Sequence, residues 1–314
     1  MADILRVATF NTELGRKGPG LLLRDVLADK DPQLAAVLGQ ITNAKPDLLV
    51  LQGVDYDLHL TALTAFSASL AKKGHEMPYH FSAKPNAGLM TDLDLDGDGK
   101  LGGAGDAQGY GRFYGQGSMA VLSRYPIISE DVTDFSGLLW RDLPDAILPE
   151  KNDEPFPSTE ALAIQRLSSH GHWSVPVRHP TLGVVTLLTY HASPPVFDGP
   201  EDRNGKRNHD ETAFWYQHLE GIIGTPPTAR FVLLGDSNLD PERGNGRGEA
   251  MRRLLDHPRL QDPLPKRPTV NWDQTGPMRV DYILPSSDWI IEDAQIVADP
   301  AASRHSLVWV DLRP

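Results

Sequence analysis

FVLLGDSNLDP occupies residues 231–241 and joins a strand signal to a pair of polar side chains. Its first four residues are apolar, with β-branched and aromatic types among them, which predicts a buried strand. Gly235 ends the apolar run, and Asp236 and Asn238 follow it one residue apart. Because both side chains offer oxygen atoms at the strand end, the stretch indicates a functional site. The alternative interpretation is a turn that only ends the strand.

The composition is that of a globular protein that can bury a sizeable core. The chain has 314 residues, of which 40% are hydrophobic and 23% are charged, as in ordinary soluble domains. Its formal net charge is −12, and since surfaces that grip nucleic acid are usually basic, nucleic acid is the less favoured partner. The sequence has no cysteine, which excludes disulfides, thiolate metal sites and cysteine nucleophiles.

The N-terminus and the apolar runs bear on location. No run approaches the roughly 18 apolar residues of a membrane span, so no span is predicted. A strand signal at residues 4–10 starts almost at once, and no signal peptide is predicted. The compartment stays open: secreted or periplasmic if a leader has been removed, otherwise cytoplasmic. The oligomeric state is not predicted.

Strand and helix signals are interspersed along the chain. Apolar runs that predict strands, several of them buried on both faces, lie at residues 5–10, 48–52, 184–189, 231–234, 280–284 and 307–312. Helical spacing of apolar residues predicts helices at residues 21–28, 32–43, 60–73, 211–223 and 251–255. Because no repeat or long linker divides the chain, one α/β domain over residues 1–314 is predicted. A Gly- and Asp-rich insertion loop spans about residues 91–117.

Polar residues stand where these apolar runs start or stop. They are Asn11, Asp55, Asp57, His191, Asp236, Asn238, Asp281 and His305. Because strand ends converge on one edge of a sheet, these side chains can share one cleft. Carboxylate and amide oxygens are ligands for Mg²⁺ or Mn²⁺, and a histidine can donate a proton to a leaving oxygen. The set therefore predicts hydrolysis of a phosphoester.

Seven short motifs in order carry a resemblance to a known family. They are TFN at 9–11, LVLQ at 49–52, SMAVLSRYP at 118–126, HASP at 191–194, GDSN at 235–238, VDYI at 280–283 and SRH at 303–305. With them the chain resembles the endonuclease/exonuclease/phosphatase superfamily. That group includes deoxyribonuclease I-like nucleases, abasic-site endonucleases, inositol-phosphate phosphatases and neutral sphingomyelinases. The resemblance runs over residues 5–312 and implies a two-sheet α/β sandwich with flanking helices.

The resemblance implies roles for three residues around the metal and the water. Asn11 would lie in the shell of the metal ion and the phosphate. Asp236 would orient or deprotonate the attacking water, and Asn238 beside it would hold the phosphate.

The remaining matched residues would act on the phosphate. The resemblance implies that His191 is the general acid or a phosphate ligand. Asp281 would pair with His305, and His305 would contact the scissile phosphate. With Asp236 and Asn238, these three residues form the predicted catalytic set.

Two positions depart from the family pattern. The family has Leu-Gln-Glu after its second strand, with the glutamate as principal metal ligand, but here Gly53 stands in its place. The family's last motif is Ser-Asp-His, but here Arg304 replaces the aspartate. Asp55, two residues after Gly53, is the predicted substitute ligand, with Asp57 and Glu13 as alternatives. Arg304 would clamp the phosphate through its guanidinium.

A calcium-loop pattern lies in the insertion. DLDGDGKL at residues 94–101 matches an EF-hand-type loop at positions one, three, five, six and eight. Position twelve is Gly105 instead of glutamate, and flanking helices are not predicted. We expect a lone structural Ca²⁺ loop, with a solvated acidic turn as the alternative. The residues assigned to it are Asp94, Asp96, Asp98, Lys100 and Asp106.

Two clusters of basic residues are less specific. The polar segment 197–210 follows the strand that ends at His191, and it predicts anion binding by Arg203, Arg207 and His209, or else a solvated loop. Residues 168–173 place two histidines on one strand face. Without a third ligand nearby this pair does not predict zinc, and a substrate contact or a plain surface strand is favoured.

The sequence as a whole predicts a metal-dependent phosphoester hydrolase. The expected cofactor is Mg²⁺ or Mn²⁺ in a weakened site, and the expected substrate is a small or lipid-like phosphodiester or phosphomonoester. A nuclease of the same superfamily is the first alternative. The second is a noncatalytic phosphate-ligand binding protein that has lost the metal, which the residues at positions 53 and 304 favour.

Overall fold

The computed structural model describes residues 4–314, in which two β-sheets lie between two layers of helices. The strands are β1 (Leu5–Asn11), β2 (Leu48–Val54), β3 (Tyr79–Phe81), β4 (Ser118–Ser123), β5 (Thr133–Asp134), β6 (Glu150–Lys151), β7 (Glu154–Pro155), β8 (His172–His179), β9 (Gly183–His191), β10 (Phe231–Asp236), β11 (Val270–Trp272), β12 (Gly276–Met278), β13 (Asp281–Pro285), β14 (Ile290–Val297) and β15 (Leu307–Arg313). The α-helices are α1 (Leu21–Ala28), α2 (Pro32–Ala44), α3 (Thr61–Lys72), α4 (Thr159–Ile164), α5 (Arg203–Leu219) and α6 (Glu249–Leu255).

The strands form two main sheets and two small hairpins. The six-stranded sheet has the order β14-β15-β1-β2-β4-β3, and the five-stranded sheet has the order β13-β10-β9-β8-β5. Within each sheet one inner pair is parallel, β1 with β2 and β9 with β10, and the other neighbours are antiparallel. Because parallel strands end at the same edge, each sheet presents two carboxyl ends side by side.

Apolar side chains fill the space between all four layers. The cluster between the sheets includes Val7, Val50, Val121, Val175, Leu187 and Leu234. A second cluster joins α1, α2 and α3 to the outer face of the six-stranded sheet, and a third joins α5 and α6 to the outer face of the other. Both sheets are therefore covered on both sides, which explains their unbroken apolar runs. The predicted two-sheet α/β sandwich with flanking helices is confirmed.

Two elements differ from the sequence expectation. Helix α5 begins at Arg203, not at residue 211, so its first two turns replace a predicted polar loop. These turns bury Arg203 and Arg207, and apolar periodicity does not detect a helix whose buried face is polar. Strand β14 was not predicted, because it is an edge strand in which two exposed charged residues, Glu292 and Asp293, interrupt the apolar run. Within residues 4–314 no helix is long and apolar enough to cross a membrane.

Gly235 permits the close pairing of β9 and β10 at the edge where the sequence predicts the site. It lies opposite Tyr190 in this register, and its φ is +148°. A Cβ atom built at Gly235 would lie 2.1 Å from the carbonyl oxygen of Tyr190. Because non-bonded atoms do not approach so closely, any side chain at position 235 would push the two strands apart.

We expect Gly235→Ala to destabilise the protein by about 3 kcal/mol or more, because backbone strain and overpacking each cost about 1–3 kcal/mol. The matched control is Gly39→Ala in α2, where a new Cβ meets no atom within 4 Å. That change should be neutral or stabilising, because alanine favours a helix over glycine. Urea unfolding of both variants gives the comparison, and equal free energies of unfolding would contradict it.

Candidate active site

The strand registers bring the predicted catalytic residues to one edge. In the five-stranded sheet, Asp236 at the end of β10 lies opposite His191 of β9 on one side and Asp281 of β13 on the other. Asn11 ends β1 in the other sheet, and its Nδ2 donates a hydrogen bond to Asp236 Oδ2 at 2.8 Å. This bond joins the two sheets at the site, so Asp236 is the centre of the cluster.

His305 lies between two buried carboxylates. Its Nδ1 is 3.0 and 3.1 Å from the two oxygens of Asp281 and 3.8 Å from Asp236 Oδ2. One ligand atom from each of the three residues lies within 4.8 Å of the others. All three side chains are buried, so their charges interact at short range with little solvent between them.

This arrangement raises the pKa values of both Asp236 and His305. Burial and the charge of Asp281 raise the pKa of Asp236 to about 7, although His305 and the amide of Asn11 oppose the shift. Burial alone would lower the pKa of His305, but the charges of Asp281 and Asp236 outweigh it and raise that pKa to about 9. At neutral pH, therefore, His305 is an imidazolium and Asp236 exchanges a proton readily.

His191 and Asn238 complete the catalytic set on the other side of Asp236. His191 Nε2 lies 3.5 Å from Asp236 Oδ2. Burial, with the charges of His170 and His305, holds the pKa of His191 well below its usual value, so its ring is neutral. Asn238 donates its backbone N–H to Asp236 Oδ1 at 2.8 Å and its Nδ2 to the carbonyl of Ala192 at 2.9 Å. The asparagine thus fixes the carboxylate and the chain beyond His191.

Arg304 lies at the rim, where Glu13 binds it. The Nε and the backbone N–H of Arg304 donate to the carboxylate of Glu13, each at 2.8 Å, and Nη2 contacts the same group. The guanidinium also lies over the ring of Trp272, 4.9 Å from its centroid. Trp272 in turn meets His305 edge to face, with 5.4 Å between ring centroids. Nothing in the sequence indicated Trp272 as a neighbour of the site.

The backbone around Gly53 has no room for a side chain. Gly53 has a φ of +69°, and a Cβ there would lie 2.5 Å from Asn11 Oδ1 and 2.8 Å from the backbone nitrogen of Glu13. The hydrogen bond from Glu13 N–H to Asn11 Oδ1, at 3.2 Å, crosses this space. The residue that follows Gln52 on β2 is therefore glycine for a local steric reason.

Asp55, the predicted substitute for a missing metal ligand, is hydrogen-bonded to the backbone through both of its oxygens. Its two carboxylate oxygens accept the backbone N–H groups of Arg16 and Gly117, each at 2.9 Å. Asp57, the alternative, accepts the N–H groups at the start of α3 and so caps that helix. Both carboxylates hold chain segments in place, because they accept backbone N–H groups that would otherwise have no partner.

The three side chains of α5 that are predicted to bind an anion have hydrogen-bond partners inside the protein. Arg207 donates to the carbonyl oxygens of Leu167, Arg166 and Ser168 at 2.8 to 3.0 Å. It is buried, and burial lowers its pKa to about 10.

The two other side chains of that prediction also have partners inside the protein. Arg203 donates to the side-chain oxygen of Gln165 at 2.8 Å, and His209 pairs with Asp210 at 2.8 Å. Gln165 lies 38 residues before Arg203, so no local sequence pattern indicates that pair.

The insertion loop brings together a second group of carboxylates. Asp94, Asp96 and Asp106 each offer an oxygen within 4.8 Å of the others. Asp106, one residue beyond position twelve of the pattern, is buried. Asp98 lies outside this group, and its carboxylate accepts the backbone N–H of Lys100 at 2.8 Å. The loop thus closes through Asp106 instead of a residue at position twelve.

Solved structures share the fold of this chain. A protein described as an endonuclease/exonuclease/phosphatase from Beutenbergia cavernae DSM 12333 is 19% identical with a TM-score of 0.63, covering 99% of this chain and 71% of that one. A family protein from Leptotrichia buccalis C-1013-b is 14% identical with a TM-score of 0.58, covering 99% and 100%. Sphingomyelinase C from Streptomyces griseocarneus is 15% identical with a TM-score of 0.54, covering 98% and 99%.

The family assignment rests on a match to the sequence itself. No curated protein matches the chain. The model of the endonuclease/exonuclease/phosphatase family matches residues 8–305, from the first strand to the histidine of the buried cluster. The chain therefore belongs to the endonuclease/exonuclease/phosphatase family.

Proposed function

We propose that this protein hydrolyses phosphoesters, with Asp236 as the base that activates water. The observation that carries the proposal is the position of Asp236, whose Oδ2 lies 3.5 Å from His191 Nε2 and 3.8 Å from His305 Nδ1. Burial and the charge of Asp281 raise the pKa of Asp236 as well. A general base is most effective when its pKa lies near the working pH. Asp236 also lies between the two histidines that would face a phosphate, His191 and His305. Carboxylate and histidines together match what phosphoester hydrolysis needs.

The histidines would have different tasks. His305 is charged at neutral pH and would donate a hydrogen bond to a phosphoryl oxygen, which gains negative charge in the transition state. Asp281 orients the ring of His305 through Nδ1. His191 is neutral, because burial lowers its pKa. Of the two roles that the sequence left open for His191, phosphate ligand is therefore favoured over general acid.

The donor set at the cluster fits one divalent cation. Asp236 and Asp281 supply carboxylate oxygens, the ligand type that Mg²⁺ and Mn²⁺ prefer, whereas Asn11 turns its amide nitrogen toward Asp236. Among residues 4–314, the carboxylates of Asp236, Asp281 and Glu13 pair with two cationic side chains, His305 and Arg304. The site therefore has an excess of negative charge. A bound divalent cation would supply the positive charge that attracts an anionic phosphoester.

The substrate is a small or lipid-like phosphoester. The net charge of −12 disfavours a polyanion that needs a broad basic surface, so a nuclease is the second candidate in the class. A phosphate-binding protein without turnover is the candidate from another class. The Glu13–Arg304 pair favours it, because this ion pair occupies a carboxylate that could otherwise bind a metal.

Hydrolysis of bis-p-nitrophenyl phosphate and p-nitrophenyl phosphate tests the proposal. With Mg²⁺ or Mn²⁺ the wild type should release nitrophenol, and EDTA should abolish release. Asp236→Asn should lower kcat by at least ~100-fold, because it removes a positioned base. Asp29→Asn is the control, since Asp29 is exposed at the end of α1. Folded wild type without activity in any metal would favour the noncatalytic reading.

The charge on His305 can be measured directly. In Asp281→Asn the pKa of His305 should fall by about one to three pH units from about 9, because an adjacent carboxylate stabilises the imidazolium by that amount. NMR titration of the ring protons in EDTA-treated protein gives both values. An unchanged pKa would show that Asp281 does not hold the proton on His305.

The calcium loop stays a prediction with its own test. Ca²⁺ should raise the Tm of EDTA-treated protein, because binding to the native state alone stabilises it. Asp96→Asn removes a carboxylate of the three-residue group and should abolish the rise. Asp92→Asn, exposed beside the loop, is the matched control and should keep it. The same Tm for wild type with and without millimolar Ca²⁺ would exclude the loop as a calcium site.

A further inference from the structure

Two histidine rings stack at the site, and only one of them belongs to the predicted catalytic set. The rings of His170 and His191 lie 3.9 Å apart between centroids, with an angle of 11° between their planes. His170 Nδ1 is 3.1 Å from the carbonyl oxygen of His191, and the hydroxyl of Ser169 donates to the same oxygen at 3.2 Å. His170 therefore contacts both the ring and the backbone of His191.

The stack forms just beyond the last paired residues of β8 and β9. The register of this pair ends with His172 opposite Tyr190. Continued by three residues, it would place Ser169 opposite Ser193. The two strand ends do not pair there, because a carboxylate lies between them. A separate contact must then hold the two segments at a fixed distance.

Glu211 of α5 supplies that contact. Its Oε1 accepts the backbone N–H of Ser169 at 2.6 Å. Its Oε2 accepts the backbone N–H and the hydroxyl of Ser193 at 2.7 and 2.8 Å. The side chain is fully buried, so no water competes for these bonds. The carboxylate replaces the next pair of backbone hydrogen bonds between the two strands, and each of its oxygens binds one strand.

The neighbouring residue on α5 extends this connection to the base. Asn208 Nδ2 donates to the carbonyl oxygens of Ser193 and Ser237, both at 2.7 Å. Ser237 lies between Asp236 and Asn238. One buried face of α5 thus binds the ends of β8, β9 and β10, from which the histidine stack and the base project.

We propose that Glu211 is a positioning residue that holds His170 against His191 and so sets the orientation of the His191 ring beside Asp236. This inference rests on the proposed hydrolase function for its kinetic consequence but not for its structural one. Burying a carboxylate costs much free energy unless hydrogen-bond donors surround it. The three groups that donate to Glu211 belong to Ser169 and Ser193, on the two segments that flank the stack. A residue that only filled space would not need these bonds.

The kinetic test uses Glu211→Gln with bis-p-nitrophenyl phosphate and Mg²⁺. One end of the amide cannot accept from an N–H group, so one of the two segments is released. We expect kcat to fall about 10- to 100-fold, the size of effect that small misplacements of reacting groups produce, with KM nearly unchanged. A fall in kcat alone indicates lost orientation, because uniform loss of substrate binding would raise KM.

The matched control is Asp210→Asn on the same helix. Asp210 is also buried, but it accepts from Trp140 and Ile147, away from the stack. The Asp210→Asn variant should be less stable than wild type but should keep the wild-type kcat. Should Glu211→Gln not fold, His170→Ala and His170→Phe carry the test. The first removes the stacked ring and should lower kcat about tenfold or more, whereas the second keeps an aromatic ring and should retain most of kcat.

An NMR readout separates this proposal from the proposed function. In histidine-labelled protein, the ring signal of His191 carries the ring-current shift of His170, which His170→Ala removes. Glu211→Gln should move the His191 signal in the same direction, although residue 211 does not touch that ring, and Asp210→Asn should leave it in place. If the signal moves but wild type has no activity, the positioning role stands and the hydrolase proposal fails.

Two results would overturn the positioning role. The first is an unmoved His191 signal with unchanged kcat in folded Glu211→Gln. The second is an equal effect of Asp210→Asn and Glu211→Gln on both readouts, which would mean that Glu211 only supports the fold.

Discussion

Two buried carboxylates share one imidazole at the centre of this protein, and the surrounding structure depends on that arrangement. Asp236 and Asp281 lie opposite each other on neighbouring strands, and His305 reaches both from the last turn before β15. Burying an unpaired carboxylate costs several kcal/mol, and removal of one partner of a buried pair costs about 3–5 kcal/mol. The proton on His305 makes the burial tolerable. In the proposed function, the charged ring of His305 would also donate a hydrogen bond to the phosphoester.

The sandwich positions this cluster by ending three inner strands at one edge. Asn11 ends β1, His191 ends β9 and Asp236 ends β10, and the Asn11–Asp236 hydrogen bond joins the sheets. Helix α5 then fixes the loops that follow two of these strands through Asn208 and Glu211. Precision in the site therefore comes from rigid strands and from a helix whose buried face is polar, not from the apolar core alone.

The sequence predicted the parts of the site that depend on local pattern. Strand ends followed by Asp, Asn or His are visible in the chain, and ordered motifs placed Asp236, Asp281 and His305 together before any geometry was known. The two-sheet fold followed from unbroken apolar runs between helices. Pairings between distant residues were not predictable in this way. Glu13 and Arg304 are 291 residues apart and meet only because β1 and the segment before β15 are neighbours.

The hydrogen-bond partners of polar side chains inside the fold were also not predictable from the sequence. Arg207 was interpreted as an anion ligand because its charge stands out in the sequence, but the fold turns it toward backbone carbonyls. The position of Asp55 just after a strand predicts a metal ligand, but in the fold its carboxylate accepts two backbone N–H groups. In both cases the charged side chain forms hydrogen bonds with backbone groups that would otherwise be buried without partners. Sequence alone does not show which backbone groups lack partners.

The proposed function requires that a divalent cation at the cluster strengthens the binding of a phosphate. Calorimetric titration of inorganic phosphate into EDTA-treated protein, with and without millimolar Mg²⁺, tests it most directly. We expect phosphate to bind at least about tenfold more tightly with Mg²⁺, which corresponds to about 1.4 kcal/mol, and to lose that gain in Asp236→Asn. Equal affinity with and without the cation would contradict the claim.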